Sequence, residues 1–225
     1  MDRANGGQRR ARRSAAFDPS ICLHSLALDS LGFVQACPHC ACNASTRTVR
    51  QISGFIGMMN YVVLGVSHST ANSDVRDTLA LKGERGVDFS RRVLEFSWCR
   101  EVVVLSTCNR TEIYAVLSVE SAEVQAKLMQ TWCEFTGSSP SQIQQFTYYY
   151  ANTDSVRHLY RVVSSLESLV VGEGQILGQV KEAFCRAQRN GFVGLDMNHL
   201  FQSAFALGKS IRSDTEISRG AVSIA

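Results

Sequence analysis

Cys108 lies in Ser106-Thr107-Cys108-Asn109-Arg110-Thr111-Glu112, a polar interval between the apolar runs Val102-Val103-Val104-Leu105 and Ile113 to Val116. Only a thiolate attacks a carbonyl carbon well, and a neighbouring cation such as Arg110 favours the ionised form of a thiol. Arg110 has a second use, because its planar fork can hold a carboxylate in two parallel hydrogen bonds. One loop therefore offers both a nucleophile and a clamp for an acidic substrate. A cysteine is ordinarily a small core residue, and Cys99, Cys133 and Cys185, set in apolar or helical patterns, read as packing. His158 flanks the apolar stripe of a helix, where a histidine commonly packs or caps. His24, His39, His68 and His199 carry no pattern that singles them out.

The elements that must hold this loop begin at Tyr61. Hydrophobic periodicity predicts a strand over 61–66, a helix near 88–98, strands over 101–106 and 111–118, a helix near 120–136 and a strand over 146–150. That βαββαβ order matches the ferredoxin-like motif, with the Cys108 loop joining its central hairpin. Val124, Leu128, Trp132 and Phe135 share one helical face that stops at Gly137, so they belong to the core. Three helices follow: Thr153 to Leu169, with Val156, Leu159, Tyr160, Val163 and Leu166 on one face; Gln175 to Asn190, through Ile176, Val180, Phe184 and Ala187; and Asp196 to Arg212. Asn152, Thr153 or Asp154 can cap the first. The expected class is α+β, a ferredoxin-like βαββαβ domain followed by a helical subdomain.

Composition narrows the function. The 225 residues are 45% hydrophobic, enough for a sizeable core. No apolar run reaches the roughly 18 residues of a spanning helix, since Ile21 to Ala36 is broken by His24, Ser25, Asp29 and Ser30. Met1 to Gly57 holds seven Arg against three Asp, while the remainder is near neutral and gives no broad electrostatic footprint for nucleic acid. Arg3, Arg9, Arg10, Arg12 and Arg13 give residues 1–57 the composition of an organelle transit peptide, expected to be disordered; a start at Met58 or Met59 is the rival account. Cys37-Pro38-His39-Cys40-Ala41-Cys42 resembles half a zinc site, but no second ligand pair follows at suitable spacing, so no metal is expected.

Three longer motifs then act together: Leu105-Ser-Thr-Cys-Asn-Arg-Thr-Glu-Ile-Tyr114, Gly172-Glu-Gly-Gln-Ile-Leu-Gly-Gln-Val-Lys-Glu-Ala183, and Gly208-Lys-Ser-Ile-Arg-Ser-Asp-Thr-Glu-Ile217 with Gly220-Ala-Val-Ser223. In this order, from about Tyr61 to Ala225, they closely resemble the glutamyl-tRNA reductase family. The resemblance implies NADPH-dependent reduction of glutamyl-tRNA to glutamate-1-semialdehyde through a thioester on Cys108, the first step of tetrapyrrole (porphyrin, chlorophyll) synthesis. It also implies that Thr107, Cys108, Asn109, Arg110, Ser168, Glu173, Gly174, Gln175 and Gln179 line the glutamyl site. Glu173 is expected on the substrate ammonium and Arg110 on its carboxylate. His158 matches the family's activity-linked histidine, expected to assist proton transfer at the departing tRNA hydroxyl.

The chain departs from the family pattern in four places. Asn-His-Lys-Thr-Ala-Pro appears as Ser67-His68-Ser69-Thr70-Ala71-Asn72, leaving the role of that loop open. Ser-Gly-Leu-Asp-Ser appears as Ser164-Ser165-Leu166-Glu167-Ser168, which adds a side chain to the predicted helix. Gly174 stands where bacterial members carry proline, as in the plant form. That form and the Arg-rich leader predict a plastid stroma location, or cytoplasm for a bacterial source. Finally, no Gly-x-Gly-x-x-Gly follows a strand. The expected organisation is a catalytic domain over 58–216 and the start of a connecting helix over 217–225, with the NADPH and dimerisation domains of a homodimeric family absent. Two rival functions remain, a truncated tRNA-binding or regulatory module and a glutamyl-tRNA esterase without reductase activity; a generic cysteine-histidine hydrolase is disfavoured, because it predicts no preference for the tRNA ester.

Overall fold

The computed structural model describes residues 60–168 and 175–214. The leader 1–57 with its Cys37 to Cys42 cluster, the alternative starts Met58 and Met59, Glu173, Gly174 and the segment 217–225 lie outside the described residues.

Four antiparallel strands form the sheet: β1 (Asn60–Ser67), β2 (Cys99–Ser106), β3 (Arg110–Leu117) and β4 (Tyr148–Ala151), in the order β2-β3-β1-β4. With α2 (Glu84–Leu94) between β1 and β2 and α3 (Ala122–Thr136) between β3 and β4, this is the expected ferredoxin-like arrangement. A short α1 (Ser73–Thr78), unforeseen in the periodicity, precedes α2, and a one-turn α4 (Pro140–Ile143) precedes β4. α5 (Thr153–Val163), α6 (Gln175–Arg189) and α7 (Leu195–Asp214) form the helical subdomain.

The sheet is covered on both faces, which explains why its strands run apolar without alternation. Ile113 and Val104 pair across β3 and β2 toward α2, where Gly86 packs near Val104 and lets the helix backbone approach the Leu81 carbonyl, which a Cβ would meet at 2.5 Å. Tyr114 pairs with Val103 on the opposite face and meets Phe201 of α7 edge-on at 5.7 Å. Every residue of β3 is buried, so its polar members Arg110, Thr111 and Glu112 need partners inside the protein. On the α2–α3 side Phe89 and Phe135 meet edge to face at 5.4 Å, and buried Trp132 donates Nε1–H to the Leu79 carbonyl at 3.2 Å.

The strand predicted over 146–150 spans Tyr148–Ala151, after a 3-10 turn at Gln144–Phe146; two helix boundaries also move, each for a local reason. The helix predicted near 88–98 runs from Glu84 to Leu94, buries Val87, Phe89 and Val93, and leaves Phe96 and Trp98 stacked at 5.0 Å in the connection to β2. The helix predicted to reach Leu169 stops at Val163, because Ser165 takes φ 61° and donates its N–H back to Val162. The left-handed region disfavours residues with a Cβ. Ser165 therefore occupies a turn that suits the family's glycine, and the extra side chain lies beyond the helix.

A β-bulge between Cys99 and Glu101 turns these two buried residues to opposite faces. Glu101 is thereby aimed at the start of α7, where its Oε2 accepts from Met197 N at 2.8 Å and its Oε1 from Asp196 N at 3.2 Å. A carboxylate on free N–H groups at a helix start satisfies donors and complements the helix dipole. Glu101→Ala is expected to lower stability by about 1–3 kcal/mol, read as a lower urea midpoint with unchanged m-value; an unchanged midpoint would remove Glu101 from this role.

Candidate active site

Cys108 and Asn109 are the two central residues of the β2–β3 hairpin. Neither takes positive φ, although tight two-residue hairpins usually require it. Thr107 supplies the alternative: its Oγ1 accepts from Asn109 N at 3.1 Å and Arg110 N at 3.2 Å, while its N–H donates to the Arg110 carbonyl at 2.8 Å. The thiol-bearing residue is exposed at the tip of this fixed turn. Thr107, Cys108, Asn109, Arg110, Ser168, Gln175, Ile176 and Gln179 line one cleft. It thus gathers seven of the residues predicted for the substrate site, from the hairpin, the turn that follows α5 and the first two turns of α6.

Arg110 is buried and already paired. Its side chain is 2% exposed; Nη1 donates to Glu112 Oε1 at 2.8 Å and Nη2 donates to the Glu167 carbonyl. Residues two apart on a strand share a face, and the positive charge is turned inward along β3 rather than toward the neighbouring sulfur. Among the described residues two of the guanidinium's five N–H donors are engaged, so an Arg110 that lines the cleft keeps donors for a ligand.

His158 is not among the residues lining the cleft. It is 9% exposed, and its Nε2 donates to Glu112 Oε1 at 2.8 Å; an ionised carboxylate can only accept, so Nε2 carries the proton. Tyr148 OH donates to the same oxygen at 2.6 Å, and Tyr114 OH donates to Oε2 at 2.6 Å. Glu112, fully buried, is thus the hub of four donors. Burial alone would raise its pKa, but the Arg110 charge, then His158 and Tyr114, outweigh burial and hold the carboxyl well below the usual range. Burial and the same carboxylate push Tyr114 and Tyr148 well above the ordinary phenol value. Tyr148 and Tyr150 stack at 5.3 Å and enclose His158 at 5.2 and 5.1 Å.

Gly65 of β1, level with Glu112 on β3 and with Tyr148 on β4, makes this approach possible. A Cβ there would lie 2.8 Å from the Tyr148 ring and 2.9 Å from Glu112 Cγ. Glu112, Tyr114, Tyr148 and Gly65 were not singled out in the sequence. The available signal was Arg110, Glu112 and Tyr114 at period two within an apolar strand, a polar row that a buried face has to satisfy. Cys185, read as packing, is exposed on α6, whereas Cys99 and Cys133 are buried as expected.

The family model described as "Glutamyl-tRNAGlu reductase, N-terminal domain" matches residues 64–215. The chain belongs to the glutamyl-tRNA reductase family. It is 40% identical over 167 residues to glutamyl-tRNA reductase 2 of Koribacter versatilis, an alignment covering 74% of this chain and 37% of that protein. A glutamyl-tRNA reductase of Shewanella baltica aligns over 167 residues at 40% identity, covering 39% of its length. The solved glutamyl-tRNA reductase of Methanopyrus kandleri superposes with a TM-score of 0.60 at 34% identity, over 72% of this chain and 37% of that one. This member of the glutamyl-tRNA reductase family therefore spans less than two fifths of the length of these relatives.

Two measurements test the Glu112 hub. Glu112→Gln leaves the buried guanidinium without its counter-charge and is expected to cost about 3–5 kcal/mol by urea denaturation, against about 1 kcal/mol for Tyr148→Phe; equal losses would contradict the hub. Because Glu112's folded pKa is depressed, its stabilisation is complete above the unfolded carboxylate value and is lost as pH falls below roughly 4.3 toward the folded value. The wild-type urea midpoint should therefore fall through that acid window more steeply than that of Glu112→Gln, whose residue 112 does not titrate.

Proposed function

We propose that this chain carries the acyl-transfer half of a glutamyl-tRNA reductase, with Cys108 as the acyl acceptor. The observation that supports this most is the gathering of Thr107, Asn109, Arg110, Ser168, Gln175 and Gln179 around the cleft at the exposed Cys108. An aminoacyl ester is already activated. The Cys108 thiolate attacks its carbonyl carbon, the tetrahedral intermediate collapses with loss of the tRNA hydroxyl, and the glutamyl group remains as a thioester. The free donors of Arg110 suit the substrate carboxylate, and Ser168, Gln175 and Gln179 supply further hydrogen-bonding groups. In this reading Glu112 holds the Arg110 head in place, and His158 belongs to the same buried array rather than to the cleft lining.

The reductive half, by resemblance, takes hydride from NADPH and releases glutamate-1-semialdehyde for tetrapyrrole synthesis. Among the described residues the sheet is wholly antiparallel, with no parallel βαβ unit and glycine loop of the dinucleotide-binding kind, so no step of hydride transfer is assigned to them. The same resemblance gives glutamyl-tRNA as partner, a homodimer for the full-length enzyme, and, with the Arg-rich leader, the plastid stroma as location.

Incubation with glutamyl-tRNA followed by intact-protein mass spectrometry, beside Cys108→Ser, tests the proposal. A glutamyl mass increment on the wild type alone, removed by hydroxylamine, is the expected result. Absence of the adduct with tRNA binding retained would favour a binding module instead, and free glutamate released only by the wild type would show that the thioester is lost to water.

A further inference from the structure

The segment from Ser67 to Arg76 has no role in the chemistry above, yet it clasps the turn that carries the nucleophile. The backbone N–H of His68 donates to the Asn109 carbonyl at 2.8 Å. Arg76 Nε donates to the Cys108 carbonyl at 3.2 Å, and its Nη1 is fixed on the Ala71 carbonyl at 2.7 Å. Asn72, standing where the family carries proline, caps α1 by accepting from Val75 N at 3.1 Å and so sets the helix that presents Arg76. The His68 backbone is thereby pinned to Asn109, the residue that follows Cys108 in the hairpin turn.

The His68 ring is half-buried, and its Nδ1 is buried with no hydrogen-bond partner among the described residues. A buried polar atom left unpaired is costly and points to a partner that arrives during the reaction. The proton on His158 Nε2, by contrast, is committed to Glu112.

We propose that His68 is the base that takes the proton from Cys108 and returns it to the departing ribose oxygen. The Sγ–H bond breaks and the proton passes to the imidazole. The freed electron pair forms the S–C bond at the glutamyl carbonyl, the ester C–O bond breaks, and the imidazolium protonates the oxygen that leaves as the tRNA hydroxyl. Nothing is oxidised or reduced in this half-reaction.

The charged groups facing the ring are Arg110 of β3, Arg76 of α1 and Glu167 beyond α5. Burial first, then the two guanidinium charges, outweigh Glu167 and hold the imidazole below its ordinary pKa, so it is neutral and able to accept a proton near pH 7. The role rests on Cys108 being the acyl acceptor.

Site-resolved alkylation of the 225-residue chain by iodoacetamide, followed by peptide mass spectrometry across pH, tests it with an internal control, because Cys185 is exposed on a different element. His68→Gln should slow Cys108 alkylation near pH 7 by about tenfold and leave Cys185 unchanged. Added imidazole should restore part of the rate in His68→Ala. An unchanged Cys108 profile in His68→Gln would overturn the proposal. Should the variants fail to fold, the His68 ring followed by NMR in the wild type must change its titration in Cys108→Ser, and an unmoved titration would overturn it equally. No tRNA is used, so coupled thiol reactivity without glutamyl transfer would sink the acyl-acceptor reading alone, and transfer without coupling would sink only the role of His68.

Discussion

Glu112 places a full negative charge in the middle of a sheet that is covered on both faces, and the structure around it is arranged to make that tolerable. Moving a carboxylate from water into a protein interior costs several kcal/mol unless charge and hydrogen bonds compensate. Here Arg110 supplies the charge, and His158, Tyr114 and Tyr148 supply further donors. These partners come from β3, β4 and α5. The carboxylate thus ties the ferredoxin-like sheet to the first helix of the subdomain, and the Arg110 head reaches the Glu167 carbonyl beside the cleft. Removing any one donor leaves the others loaded on an under-compensated charge, so the array behaves as a unit.

The hairpin tip has the opposite character. Its turn is organised by a single hydroxyl, that of Thr107, and its outer side is held through backbone carbonyls by Arg76 and His68. A rigid interior and a clasped but exposed tip give the sulfur a fixed position with open access, the combination that attack on a bulky ester requires.

Much of the fold was legible because its strands and helices follow simple periods. The βαββαβ order, the central hairpin and α6 and α7 follow from apolar spacing, and Gly137 ends α3 in the left-handed conformation its type allows. The misplaced boundaries depended on facts that spacing does not carry. Ser165 adopts a positive φ that its residue type does not announce, and Phe96 and Trp98 satisfy each other outside a helix whose stripe they would have extended. The cleft residues were legible through motif resemblance. The array behind them was not, because pairing between Arg110 and Glu112 depends on both faces of β3 being buried, which requires knowing that α5 to α7 fold back over the sheet. The adjacency of His68 to the Cys108 turn likewise depends on the antiparallel pairing of β1 with β3, which brings together residues far apart in the chain.

The missing side chain at Gly65 has an evolutionary consequence. The space above it is filled by the ring of Tyr148 and the stem of Glu112, so positions 65, 112 and 148 form one heritable unit. A methyl group at 65 could be taken up only if both the Tyr148 ring and the Glu112 stem shifted or were replaced by smaller groups. Substitution at 65 is therefore coupled to the side chains at 112 and 148, although 65 and 148 lie far apart in the chain.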